Sequence, residues 1–290
     1  MRPYYFLFIL PLFAWIVVVH DMMGGEWQWL QQYLPFTGLG LMGAIFANST
    51  GAGGGVVFIP AFKWLAFSDA QSVGTSFAIQ CFGMTAGSFA WLRYAKSDQR
   101  TPQDWQSFPT VTLLCSLFSV LGLAAVNTLG INSPADLKSF FAVFSLLLGS
   151  VLLVSVVRLD SSQARVQLAS MDKGMIIVIG VLGGIITAWL SVGVGEILAL
   201  YLLLRGFSAT MSVAAAVCVS AISVWSGIAY HTLQHHVVWD VIVFAGPAAV
   251  IGGTLAKRLA VWLPAKQLKV FFSCWVLLMG LVSLPWQAWF

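Results

Sequence analysis

Asn48-Ser49-Thr50-Gly51-Ala52-Gly53-Gly54-Gly55 interrupts an apolar run that extends from about Tyr33 to Phe67. Four of these eight residues are glycine, and each glycine inside a helix costs about 1 kcal/mol relative to alanine. Roughly thirty residues of helix measure about 45 Å, against a hydrocarbon core of about 30 Å. The run is too long for one upright crossing and too short for two. It therefore crosses once as a broken helix, or enters and returns as a hairpin. A second run, 175–204, is interrupted around Ser191 to Glu196 and poses the same choice.

That the solvent is a bilayer follows from composition. The chain has 290 residues, 59% of them hydrophobic and 8% charged, with a mean hydropathy of +0.90. Soluble domains carry about 25% charged residues. In hydrocarbon every backbone polar group needs an internal partner, so spans are helices or closed barrels. Long continuous apolar runs near 70–92, 107–127, 137–157, 208–230, 237–256 and 268–285 favour helices. Residues 4–19 follow Arg2 and precede His20-Asp21-Met22-Met23, with no small-residue cleavage site, which predicts an uncleaved first helix and then a loop, Asp21 to Gln32. Cys81, Cys115, Cys218 and Cys274 form no C-x-x-C pair and read as buried small hydrophobes, which argues against redox and zinc chemistry. There is no P-loop, so ATP is not implied, and the net charge of +4 is not a nucleic-acid footprint.

Basic residues decide between hairpin and crossing, because they concentrate on the cytoplasmic side. With two hairpins and a cytoplasmic N-terminus, twelve Lys and Arg fall inside, and Lys63 and Lys138 alone fall outside. If both runs cross once, the split is 8 to 6; if only the second crosses, it is 7 to 7. The hairpin topology gives seven full crossings and a C-terminus outside. It also makes the two halves inverted, the symmetry on which alternating access rests. Sequence similarity supports a duplication. Gly51-Ala52-Gly53 matches Gly193-Val194-Gly195, 142 residues on, and Pro134-Ala135 with Leu137-Lys138 and Phe140-Phe141 matches Pro264-Ala265 with Leu268-Lys269 and Phe271-Phe272.

Two hairpins entering from opposite faces bring their tips together near the midplane. Glycine exposes backbone N–H groups there, and the helices that follow present positive N-terminal ends. Such a site suits a small oxyanion; the alternative is that the glycines only permit close helix packing. The candidate substrate-binding residues are Asn48, Ser49, Thr50, Gly51, Gly53, Gly54, Gly55, Thr75, Ser76, Gln80, Ser191, Gly193 and Gly195. Thr75, Ser76 and Gln80 would line the helix that follows, with Ser220 and Ser223 as loose counterparts in the second half. Glu196, an ionisable residue at membrane depth, is a candidate proton-coupling carboxyl; the alternative is a hydrogen-bonded or solvated residue at the tip. His231, His235 and His236 read as a solvated outer loop, and no metal site is expected. Trp27, Trp29, Trp262, Trp286 and Trp289 read as interfacial anchors.

The pattern G-x-G-G-G-x-x-x-x-P from Gly51 to Pro60, followed by Gly74-Thr75-Ser76, resembles the sulfite exporter TauE/SafE family over most of the chain from about residue 36. The resemblance implies two such repeats and passage of sulfite, organosulfonates or related sulfur-containing anions across a membrane. The second repeat departs from the pattern, with Glu196 at an expected glycine and Leu202 at the proline.

The expected fold is an all-α polytopic membrane protein. An extra N-terminal transmembrane helix precedes two inverted repeats, each a re-entrant broken-helix hairpin plus three transmembrane helices. The expected organisation is 1–32 for the first helix and outer loop, 33–158 for the first repeat, 159–173 for a cytoplasmic linker and 174–290 for the second repeat. The expected function is secondary transport of a small, sulfur-containing anion in a cytoplasmic (inner) membrane, without enzymatic activity or cofactor. An anion channel, or a transporter of a non-sulfur anion, is the alternative. Expected partners are the anion, the lipid bilayer and, as a candidate, a second copy in a homodimer; nucleic acid is not among them.

Overall fold

The fold is known from a computed structural model that describes residues 6–24, 26–97, 101–158, 165–263 and 265–284. Arg2, Arg100, Pro264, Trp286 and Trp289, used above, lie outside the described residues. The described chain is helical: α1 (Phe6–Met23), α2 (Trp27–Tyr33), α3 (Phe36–Thr50), α4 (Gly55–Trp64), α5 (Asp69–Ala95), α6 (Phe108–Leu129), α7 (Leu137–Arg158), α8 (Ser170–Leu190), α9 (Val194–Leu204), α10 (Ala209–Leu233), α11 (Trp239–Trp262) and α12 (Ala265–Val282). Five helical stretches are long and apolar enough to cross a membrane: Pro102–Leu129, Leu137–Val154, Ser170–Leu190, Ala209–Leu233 and Trp239–Trp262. Shorter apolar helices, Gly55–Trp64 and Val194–Leu204 among them, accompany them.

Both interrupted runs fold back on themselves. Phe36, at the start of α3, packs on Phe62 and Phe67 at the far end of α4, with ring centroids 6.3 and 6.4 Å apart. Midway along, a methyl group on Gly43 would strike the Phe58 ring. In the second run, Asp172 near the start of α8 accepts from Tyr201 Oη and Arg205 Nε at the end of α9, both at 2.7 Å. Gly183 lies against Val194. Each pair is therefore an antiparallel helical hairpin.

The long helices that enclose the hairpins begin alike. Ser68 caps α5, its Oγ accepting from Gln71 N–H at 3.1 Å, and Ser208 caps α10 by accepting from Met211 N–H at 3.4 Å. Packing then runs through small residues, which let backbones approach where lipid supplies no hydrophobic drive between helices. Gly40 meets Ala245 and Gly252 meets Leu41, seating α3 on α11; Gly122 meets Val181 and Gly184 meets Ser119, seating α8 on α6. Gly253 against Gly83 joins α5 to α11, and Gly149 against Leu277 joins α7 to α12. The buried aromatic and aliphatic core fills the space around the hairpins, with Phe58, Phe62, Phe77, Trp91 and Phe141 almost fully buried.

Charges gather at the bundle ends. Lys63, paired with Asp69 at 2.7 Å, shares one end with Lys138. Arg93, Lys96, Lys257 and Arg258 share the other.

Four sequence expectations change. The stretch from Asp21 to Gln32 is not a simple loop: α1 runs to Met23 and α2 occupies Trp27–Tyr33. Trp29 is fixed there, its Nε1 donating to Asp240 at 2.6 Å, so it is a packing residue. His231 belongs to α10 and is buried against the Phe77 ring (4.7 Å), because the helix runs two residues past it; His235 and His236 follow the helix. Cys274 is exposed on α12, while Cys81, Cys115 and Cys218 are buried.

Candidate functional site

The site is built where the two hairpin turns meet. α3 ends on Gly51, whose φ of 82° is left-handed and costs glycine little; α8 ends on Ser191 at φ 57°, where a side chain is strained. Each turn leaves peptide N–H groups at the start of the next helix without a helical partner. Residues 51–59 and 191–196 are buried, so those groups need partners from within the protein.

Two side chains supply them. Glu196, on the first turn of α9 and fully buried, accepts from Gly53 N–H at 2.5 Å through Oε1. Its Oε2 accepts from Gly193 N–H at 2.7 Å. Gln80, on α5, accepts from Gly54 N–H at 2.7 Å. Its Nε2 lies within bonding distance of Ser191 O (3.1 Å), Ser191 Oγ (2.8 Å) and Ser76 Oγ (3.1 Å). Ser191 Oγ donates in turn to Ser76 Oγ at 2.9 Å. One carboxylate and one carboxamide thus tie both tips together.

The backbones are equally close. A Cβ on Gly55 would lie 2.5 Å from Ser191 O, and one on Gly195 would lie 2.7 Å from Gly51 O and 2.3 Å from Ser220 Oγ. Nothing larger than glycine fits at either position without separating the tips.

The predicted residues divide into two groups. Gly53, Gly54, Gly55, Ser76, Gln80, Ser191, Gly193, Gly195 and Glu196 are brought into this network. Gly51 touches it through its carbonyl beside Gly195. The polar groups at the end of α3 turn to their own helix: Asn48 Nδ2 donates to Ala44 O (2.8 Å), Ser49 Oγ to Phe46 O (3.1 Å) and Thr50 Oγ1 to Phe46 O (2.8 Å). Asn48 Oδ1 is buried without a hydrogen-bond partner and borders a small void beside Gly54 and Gln80. Thr75 faces away, its Oγ1 accepting from Val238 N–H at 3.0 Å at the start of α11.

Sequence reasoning missed Thr187 and Trp91. Thr187 Oγ1 accepts from Val194 N–H at 3.0 Å, and Trp91 Nε1 donates to Asn48 O at 2.9 Å. Thr187, one turn before the break, carried a usable signal; Trp91 carried none. Ser223 pairs with Ser119 at 2.7 Å, whereas Ser220 Oγ is buried beside Gly195 without a partner.

If the halves are repeats, the caps align them in a different register. Gly51 and Ser191 are both left-handed caps, and Ser68 and Ser208 both start the next long helix. Both pairs are 140 residues apart, against the 142 drawn from the glycines alone. Glu196 then stands opposite Val56 instead of Gly54, Ser220 opposite Gln80, and Ala214-Ala215-Ala216 opposite Gly74-Thr75-Ser76. The glycine match misled because Gly193 is the counterpart of Gly53 and not of the cap.

Among the described residues no group of three or more His, Cys, Asp or Glu could hold a metal ion. No curated protein and no solved structure matches the chain. The family model described as sulfite exporter TauE/SafE matches residues 36–283, from the start of α3 to just past α12. The chain belongs to the sulfite exporter TauE/SafE family of membrane transporters.

Proposed function

We propose that this chain is a secondary transporter of a small sulfur-containing oxyanion, sulfite or an organosulfonate, working by alternating access at the meeting point of two re-entrant hairpins. The observation that carries the reading is the occupancy of the tip amides: Gly53, Gly54 and Gly193 N–H are held by oxygen acceptors from Glu196 and Gln80. Those amides recognise oxyanions, and the protein keeps them occupied with its own. Family membership supports membrane transport of sulfur anions such as sulfite.

In this reading the hairpins enter from opposite faces and belong to inverted repeats. The exchange of packing partners supports it: α3 rests on α11 of the other half, and α8 rests on α6. The first hairpin opens at the Lys63 end and the second at the Arg165 and Arg205 end. Positive-inside bias makes the arginine-rich end cytoplasmic, with the N-terminus inside and the C-terminus outside an inner membrane. An anionic charge leaving a negative interior gains about 2.3 kcal/mol per 100 mV, which drives export, whereas uptake needs a coupled ion such as a proton carried on Glu196.

Glu196 acts as the coupling group. Protonation roughly halves the strength of a carboxyl's hydrogen bonds and turns one oxygen into a donor, which loosens its hold on Gly53 and Gly193 N–H and lets an incoming anion compete for them. The tight contact of Gly55 with Ser191 favours a gated carrier over an open channel. The test is flux in proteoliposomes with the membrane potential clamped, across sulfite, a sulfonate, sulfate and a carboxylate. Saturable counterflow selective for the sulfur anions is expected, and Glu196→Gln should flatten its pH dependence. Flux without counterflow, or a pH profile unchanged in Glu196→Gln, would refute the carrier or the coupling role respectively.

A further inference from the structure

A second feature has nothing to do with the hairpin tips. At the arginine-rich end of the bundle a pocket of about 820 Å³ opens between the C-terminal turns of α5 and α11. This is within the range of about 300–1,000 Å³ typical of small-molecule sites. Arg93, Lys96, Lys257 and Arg258 line its mouth. Among the described residues none of the four is in an ion pair with a carboxylate. The three ion pairs among the described residues lie elsewhere, on Lys63, Arg165 and Arg205. Lys257 Nζ sits over the Tyr94 ring, 5.3 Å from its centroid, which holds the ammonium at the pocket instead of in water.

Below the cations the wall changes character. Ala86, Phe89, Ala90 and Val250 continue the pocket along the helices, and Phe89 and Val250 are 60% and 39% exposed. Phe89 on α5 and Val250 on α11, the latter one of the membrane-capable helices, form an outward apolar surface suited to acyl chains. Cations near two helix C-termini also balance the helix dipoles, but that role needs neither a shared cavity nor an apolar groove beneath it. In this conformation packing separates the pocket from the hairpin tips. A Cβ on Gly253 would lie 2.2 Å from Gly83 O and 3.0 Å from Gly87 N, so α5 and α11 are in backbone contact between the pocket and the tips.

We propose that this pocket is a binding site for an anionic phospholipid, with the headgroup phosphate held by Arg93, Lys96, Lys257 and Arg258 and an acyl chain lying along Phe89 and Val250. The chemistry is that of basic pockets between membrane helices on the cytoplasmic side. The lipid would pin the ends of α5 and α11 to each other, and α5 carries Gln80 and α11 carries the α3 contact.

The test is native mass spectrometry and thermal unfolding of the purified protein in a neutral detergent, titrated with phosphatidylglycerol, phosphatidylcholine of the same chains, or inorganic phosphate. Phosphatidylglycerol should bind and raise the midpoint, phosphatidylcholine should bind about tenfold more weakly, and inorganic phosphate should neither stabilise the protein nor displace the lipid. Combined Arg93→Gln, Lys96→Gln, Lys257→Gln and Arg258→Gln should remove the preference for the anionic lipid, while the lipid-free midpoint falls only slightly through loss of the Lys257–Tyr94 contact and of helix-dipole balance. Ala90→Trp, which fills the groove and keeps every charge, should weaken phosphatidylglycerol binding as well. Equal binding of the two lipids, an undiminished preference in the fourfold variant, or displacement by inorganic phosphate would overturn the proposal.

Discussion

Gly55→Ala tests whether the two hairpin tips work as one closed unit. The added Cβ would lie 2.5 Å from Ser191 O, 2.9 Å from Ser191 C and 3.2 Å from Leu190 O. All three are backbone atoms in a buried turn, so no side chain can swing aside. The tips must part by about 1 Å to restore ordinary contact. That displacement stretches the bond from Gln80 Nε2 to Ser191 O, now 3.1 Å, beyond hydrogen-bond range and strains the one from Ser191 Oγ to Ser76 Oγ. Overpacking costs about 1–3 kcal/mol and each net hydrogen bond about 1 kcal/mol, so a loss of roughly 2–4 kcal/mol is expected. The assay is reversible unfolding in detergent, with sulfite flux in proteoliposomes measured on the same preparation. Gly38→Ala is the control, because a Cβ there meets nothing within 4 Å; alanine should be neutral or slightly stabilising in that helix. If Gly55→Ala unfolds within about 0.5 kcal/mol of the parent and transports normally, the tips are not the rigid contact inferred from this geometry.

Gly195→Ala should also destabilise, and Ser220→Ala should rescue it only in part, because Ser220 Oγ is one obstacle (2.3 Å) and Gly51 O is another (2.7 Å); a double-mutant cycle of unfolding free energies measures the coupling. Trp91→Phe removes the buried donor to Asn48 O and should cost about 1–3 kcal/mol in the same unfolding assay. Asp172→Asn leaves Arg165 and Arg205 facing each other at the base of the second hairpin without a counter-charge, and should lower the thermal midpoint more than Tyr201→Phe, which removes one hydrogen bond.

Much of the architecture was legible because composition and glycine clustering are coarse signals. The breaks at Gly51–Gly55 and Ser191–Gly195 appear in the structure within a residue or two of their sequence positions. The long runs became α5, α6, α7, α10 and α11, with α6 and α7 ending within two residues of the expectation, α5 and α10 running three residues further and α11 six. The partners inside the site were only half legible. Residue type flagged Gln80 and Glu196, since a carboxamide and a carboxylate are costly at depth. Which amide each would take depends on how two distant segments cross, and no local pattern encodes that. Asn48, Ser49 and Thr50 looked equally polar, yet they satisfy their own helix, the common outcome for such residues within helices. Ser191 was read as a tip hydroxyl, but its left-handed backbone is set by the need to stop α8, a role more usual for glycine.

The corrected register gives the unequal halves a physical reason. Under the inverted-repeat reading, the counterpart of Glu196 is Val56, and the counterpart of Gln80 is Ser220. A glutamate in both copies would bring two carboxylates to one buried tip, where like charges cannot both remain ionised. One copy must therefore give up its charge. The first hairpin has done so with Val56, and its Gly53 N–H borrows Glu196 from across the interface. The second half in turn lacks a carboxamide on α10, and its Ser191 borrows Gln80 from α5. Each half lends the group that the other lacks, so neither tip can be satisfied unless both are in place. Under the proposed alternating access, parting the tips would break both loans together, which would couple the two hairpins.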